Sequence, residues 1–182
     1  MQGPRIAPLE PPYPPDLQAG FDRVMAGKPP LLLFRIVARN PRVLSRFFAG
    51  GLLDRGSISL RQRELMILRT TALCGAEYEW GVHVAAYGAK SGWTPAELHA
   101  SVRGDGSVPC WKSDEALIVE LADSLHRTND VDDALWTRLK AAFADEQLIE
   151  LVMLAGFYHS VSFTLRAFRI PLETGAPRFP AA

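Results

Sequence analysis

Cysteine, net charge and strand-like patterning are all scarce in this chain, and each shortage removes a class of explanation. Only Cys74 and Cys110 occur in 182 residues. Two thiols without a Cys-x-x-Cys spacing exclude a disulfide framework and are expected as small buried side chains. The 20 basic and 20 acidic residues balance and form no long run of one sign, which argues against nucleic acid or an anionic membrane surface as partner. The opening MQGPRIAPLEPPYPPD has neither the basic nor the apolar block of a signal peptide, so a cytoplasmic location is expected. Alternation longer than four residues, internal repeats and low-complexity tracts are also missing, apart from six prolines between Met1 and Pro15. Residues 1–15 therefore read as an extended arm lying over the domain or over a neighbouring subunit, and 16–182 as one domain.

What is present is helical punctuation. Asp16 can cap a helix bearing Leu17, Phe21, Val24 and Met25, and Leu31 to Ala38 is apolar enough to be buried. Asn40-Pro41 opens a helix over Arg42 to Leu53. Ser59 and Gln62 form a capping box for a helix from about Leu60 to Leu73, which Gly75 stops. Glu77 begins the next, running through Trp80, His83 and Tyr87 to Gly88 or Gly92. Thr94-Pro95-Ala96-Glu97 is the most specific local signal and starts a short helix to about Val102. Ser113, Asp130 or Asp132, and Asp145 are expected to cap three more. The last, Glu146 to about Arg169, is apolar on nearly every side. Polar Glu150, His159, Ser160, Ser162 and Arg166 interrupt it, so it reads as the central core helix rather than a membrane span.

The chemistry concentrates between Ser59 and Ala89. Glu79 and His83, four apart, share a helix face, so carboxylate and imidazole can perturb each other's proton affinity. Glu64 can join them if the two helices form a hairpin. The same spacing also describes an ordinary solvated pair, but Tyr78, Trp80, Val82, Val84 and Ala85 leave no clean polar face around it. Tyr158 and His159 are buried polar groups with two readings: core residues bonded to neighbouring backbone, or lining of the same cavity. His126, near a helix end, is expected to interact with the terminal carbonyls and His99 to lie on the surface, both without chemistry.

Arg63-Glu64, Leu68-Arg69, Cys74-Gly75-Ala76-Glu77-Tyr78-Glu79-Trp80, His83, Gly92 and Thr94-Pro95-Ala96-Glu97-Leu98 together resemble the core of the carboxymuconolactone decarboxylase and alkylhydroperoxidase (AhpD-like) family. The resemblance covers about the middle third of the chain. It implies an all-α bundle of about seven to eight helices, a homo-oligomer (trimer or hexamer, with a dimer open), and a site around the histidine-bearing helix. Against the peroxidase branch, the two cysteines of Cys-x-x-Cys-x-x-x-His fall at Ala76 and Glu79, so a dithiol cycle is chemically impossible there. The decarboxylase branch's Glu-x-x-x-His is reproduced by Glu79 and His83. Loss of carbon dioxide through an enolate requires a general acid and charge stabilisation, with no metal or organic cofactor expected. The expected roles are proton transfer for His83, orientation and tuning for Glu79, and a relay for Glu64. A small-molecule substrate is expected to be held by Arg69, Tyr78, Trp80 and His159, with Arg69 on its carboxylate. A non-catalytic ligand-binding oligomer and an AhpD-like peroxidase are the alternatives, and a metal at Glu64, Glu79 and His83 lacks a second histidine at ligand spacing.

Overall fold

The computed structural model describes residues 3–181, and among them there are helices and no strands. Nine helices occur in chain order: α1 Pro15–Met25, α2 Leu32–Val37, α3 Pro41–Gly50, α4 Leu60–Leu73, α5 Glu77–Ser91, α6 Pro95–Arg103, α7 Ser113–Thr128, α8 Asp133–Ala142 and α9 Asp145–Ala167. The count exceeds the expected seven to eight because the apolar run after Pro30 folds into the short helix α2. Helix α3 ends three residues early, at Gly50.

The centre of the molecule is α4, which packs against α5, α6, α7 and α9. Its start is fixed by the expected capping box: Gln62 N donates to Ser59 Oγ at 3.2 Å, and Ser59 N donates to Gln62 Oε1 at 2.9 Å. Its end is fixed by Gly75 at φ 62°, which lets Ala76 N turn back to Thr71 O at 2.8 Å. Every residue from Arg63 to Thr71 is buried. Leu65, Met66, Ile67 and Leu68 each contribute roughly 1.5–3 kcal/mol by leaving water. The charged residues on the same helix must then be paired: Arg63 with Glu64, and Arg69 with Asp123.

This arrangement corrects the expectation for the last helix. Helix α9 buries one face, with Leu148, Leu151, Leu154, Ala155, Tyr158, Val161, Ser162 and Leu165. It leaves Ile149, Met153 and Phe163 60–65% exposed on the other. By length and composition it is the one helix among the described residues that could cross a membrane, and its inner face packs on α4. Asp16, Ser113 and Asp145 lie inside their helices rather than at the cap, because Pro15 takes the first position of α1 and the residues before Ser113 and Asp145 supply the extended cap backbone. Asn40 and Asp132 cap as expected, accepting from Val43 N at 3.2 Å and Leu135 N at 2.8 Å.

Both terminal segments strap the bundle. The proline-rich arm lies on its own domain: Arg5 N donates to Phe168 O at 2.8 Å, Leu9 N to Arg35 O at 3.0 Å, and Arg35 Nε returns to Leu9 O at 2.9 Å. The C-terminal segment crosses the start of α5, where Arg178 and the Phe179 backbone bind Glu77, and Phe179 packs on Trp80. Gly81 permits this crossing, since a Cβ there would meet Pro177 O at 2.3 Å.

Candidate functional site

Because α4 and α5 pack as a hairpin, Glu64 faces His83 across the interface. The imidazole Nδ1–H donates to Glu64 Oε2 at 2.7 Å. On its other side, Nε2 lies 3.1 Å from the Tyr158 hydroxyl on α9 and 3.5 Å from Glu79 Oε1 one turn earlier on α5. Arg63 closes the charge pattern by donating from Nε and Nη2 to Glu64 Oε1 at 2.9 and 2.8 Å. Tyr87 lies between the two cations, its ring 5.5 Å from the His83 ring and 4.9 Å below the Arg63 guanidinium.

The group is almost dry: Glu64 is 1% exposed, Tyr158 2%, His83 4% and Glu79 6%. Burial pulls the His83 pKa down, but hydrogen bonds and charge from Glu64 and then Glu79 outweigh it and raise the pKa from 6.5 to about 9. His83 is therefore an imidazolium at neutral pH. Burial, followed by the charges of Glu79 and Glu64, pushes the Tyr158 phenol well above its ordinary range, so it stays neutral and can both donate and accept. One atom lacks a role in this network. Oε2 of Glu79 is buried and has no hydrogen-bond partner among the described residues.

The structure thus unites Glu64, Glu79 and His83, as the sequence suggests, brings in Tyr158, as one of its two sequence readings expects, and adds Arg63 and Tyr87. It does not bring the expected substrate-binding residues to them. Arg69 is turned to the far side of α4, where Nε donates to Asp123 Oδ1 at 2.6 Å and Nη1 to Ser101 O at 3.3 Å. A buried guanidinium held this way is not available to a substrate carboxylate, which corrects the expectation for Arg69. Tyr78 donates to Glu173 in the C-terminal segment and accepts from Leu33 N at 3.2 Å. Trp80 donates from its indole to Ser101 Oγ at 3.1 Å. Both anchor neighbouring segments.

His159 is the clearest divergence. Tyr158 and His159 are adjacent, but successive helical residues point about 100° apart, so only the tyrosine reaches His83. His159 Nδ1 donates to Ala155 O at 2.8 Å, while Nε2 lies 3.1 Å from Nδ1 of His126. The latter atom is also 3.8 Å from Cys74 Sγ. Cys74 and His126, read from the sequence as inert, therefore have partners. They line a depression of about 610 Å³ with His159, Phe163 and Arg166, and His83 does not border it. The Tyr158 contact was signalled by a polar residue in an apolar run; the Cys74 grouping had no local sequence signal.

Residues 41–117, from the start of α3 into α7, match the carboxymuconolactone decarboxylase family. No curated protein matches the chain in sequence. Among solved structures, an uncharacterized peroxidase-related protein from Silicibacter sp. TM1040 superposes with a TM-score of 0.81 at 18% identity, over 99% of this chain and 97% of that one. An AhpD-core, peroxidase-related protein from Ralstonia eutropha JMP134 gives 0.74 at 14% identity, over 96% and 94%. The debrominase Bmp8, in complex with 2,3,4-tribromopyrrole, gives 0.74 at 14% identity, over 93% and 91%. At these identities the likeness is one of fold.

Proposed function

From the match of residues 41–117 to the carboxymuconolactone decarboxylase family, we propose that the chain is a member of that family and acts as an acid/base lyase. Its substrate on this reading is a small carboxylated lactone or a related intermediate of aromatic catabolism. One observation carries the proposal: His83 is held as an imidazolium between Glu64 and Glu79, away from bulk water, beside an unpaired carboxylate oxygen. In the proposed step the carbon–carbon bond to the substrate carboxylate breaks and its electron pair enters an extended enolate. Carbon dioxide leaves, and the proton on His83 Nε2 passes to carbon. Glu64 holds the ring through Nδ1, and Tyr158 and Glu79 flank the nitrogen that gives up the proton. Water restores that proton after turnover. Arg63, held by Glu64 and the Leu53 carbonyl and lying over Tyr87, supports the carboxylate that orients His83.

Self-association and a cytoplasmic location belong to the same proposal. The outward row Ile149, Met153 and Phe163 on α9 supports a homo-oligomer, to be checked by sedimentation velocity. A second reading, a thiol-dependent peroxidase, draws support from the two peroxidase-related folds and from the contact of Cys74 with His126. It would have to run on a single thiol, because Ala76 and Glu79 occupy the positions of the dithiol pair. The purified protein should be offered a panel of muconolactone and other carboxylated lactones, with hydroperoxide plus a thiol reductant in parallel. Carbon dioxide release that disappears in His83→Gln supports the lyase; hydroperoxide turnover that survives His83→Gln and needs Cys74 rejects it in favour of the second reading.

A further inference from the structure

Cys74 ends α4, His126 lies in the last turn of α7, and His159 is midway along α9, so three separate helices converge on the 610 Å³ depression. Cys74, His126 and His159 each offer one ligand atom, and these three atoms all lie within 4.8 Å of one another. Two of these separations are those of a coordination polyhedron. A tetrahedral zinc with bonds of about 2.05 Å to nitrogen and about 2.3 Å to sulfur places its ligands about 3.3 Å (N to N) and about 3.6 Å (N to S) apart. The observed values are 3.1 Å between the imidazole nitrogens and 3.8 Å between Sγ and His126 Nδ1.

The surroundings also suit coordination. His159 donates its Nδ1–H to Ala155 O, which fixes the ring and leaves the Nε2 lone pair directed at the cluster, the same outer support that metal-bound histidines use. Burial first, and then the neighbouring His159, hold the His126 pKa below its ordinary value, which favours the neutral ring that a metal ion requires. Burial keeps Cys74 a thiol, which a metal ion would deprotonate on binding. All three side chains are partly exposed beside the depression, so an ion has a path of entry.

We propose that Cys74, His126 and His159 form a zinc site whose fourth position opens onto the depression beside Arg166. One thiolate and two imidazoles match the borderline softness of zinc, and three protein ligands with an open position are the pattern of a zinc ion that binds water or a small anion. Arg166, anchored by its bond to Gly75 O at 2.9 Å, favours an anion in that position. The ligands are separate from the His83 group, so this inference stands or falls independently of the lyase reading.

The test uses the full chain, stripped with a chelator, then titrated with Zn²⁺ against a chromophoric competitor and with Co²⁺ as a spectroscopic probe. The expected result is one equivalent bound, with a thiolate-to-cobalt charge-transfer band and the intense visible bands of four-coordinate Co²⁺. Cys74→Ser removes the charge-transfer band, His126→Ala and His159→Ala each weaken Zn²⁺ binding by more than roughly 100-fold, beyond the effect of losing an outer-shell partner, and Cys110→Ser changes neither. A readout without substitution is alkylation of the wild-type chain, where Zn²⁺ should slow labelling of Cys74 at least tenfold and leave Cys110 unaffected. Absence of the band, its survival in Cys74→Ser, or equal labelling of Cys74 with and without Zn²⁺ overturns the proposal.

Discussion

His83 and His126 both sit on helices packed against α4, and both rings lie within about 3 Å of another polar side chain, yet the protein pushes their proton affinities in opposite directions. Burial opposes the charged form of each. Around His83 two carboxylates overcome that cost; around His126 the near neighbours are a second imidazole and a thiol, which add nothing to stabilise a cation. The same side chain is thereby a stored proton in one place and a lone-pair donor in the other. The partner, more than the depth of burial, decides which.

The largest expected effect separates the two histidines by chemistry. His83→Gln should lower decarboxylation by roughly 10²–10⁴-fold in steady-state kinetics, the usual range for a lost general acid. If the rate holds, His83 is not the acid and the contrast with His126 loses its functional meaning.

Stability comes next. Glu64→Gln leaves Arg63 and His83 buried without their shared counter-charge, at a cost of about 3–5 kcal/mol. Thermal unfolding should then fall by on the order of 10 °C. His83→Gln destabilises for the same reason, so a preserved melting temperature is not expected of it, and its activity must be read on protein shown to be folded. His159→Ala, at the half-buried cluster, should cost under about 2 kcal/mol. Equal losses at the two sites would show that the His83 charges are better solvated than their burial implies.

Titration sharpens the comparison directly. The folded pKa of His83 lies above its unfolded value of 6.5, so its contribution to stability is complete below about 6.5 and is lost as pH rises through about 9. Lyase activity should decline over the upper part of that window as the proton is lost. His126 has the opposite sign: its lowered pKa carries no penalty above about 6.5 and destabilises as pH falls further. Ring proton shifts followed by NMR should show His83 titrating near 9 and His126 below 6.5; coincident curves would erase the distinction.

The smallest expected effect is Tyr158→Phe, which removes one hydrogen-bond partner of His83 and keeps the ring. A loss of about 1 kcal/mol in stability and roughly tenfold in rate should be measurable by denaturant titration and kinetics. A larger rate loss would make Tyr158 part of the proton path rather than a support for the ring.

The helices were legible in the chain because their signals are local. Ser59 with Gln62, Thr94-Pro95 with Glu97, and Asn40-Pro41 act within one turn, and the structure keeps each of them. Glu79 with His83 was legible for the same reason, being one turn apart on a single face, and Glu64 needed only the α4–α5 hairpin. Arg69 misled because an arginine near the motif looks available until its distant partner Asp123 is placed. Cys74, His126 and His159 are 52 and 33 residues apart, beyond any local pattern.

Sequence alone determined the capped starts of α3, α4, α6 and α8 and which acid lies one turn from the histidine, since capping, glycine punctuation and helical period act over a few residues. Tertiary structure decided that α4 rather than α9 is the central helix, that Tyr158 reaches His83 while its neighbour turns away, and that a thiol meets two imidazoles at the far end of the bundle. Those outcomes depend on how helices rotate and cross when packed, and the angle at which a face is buried is set by all the helices together.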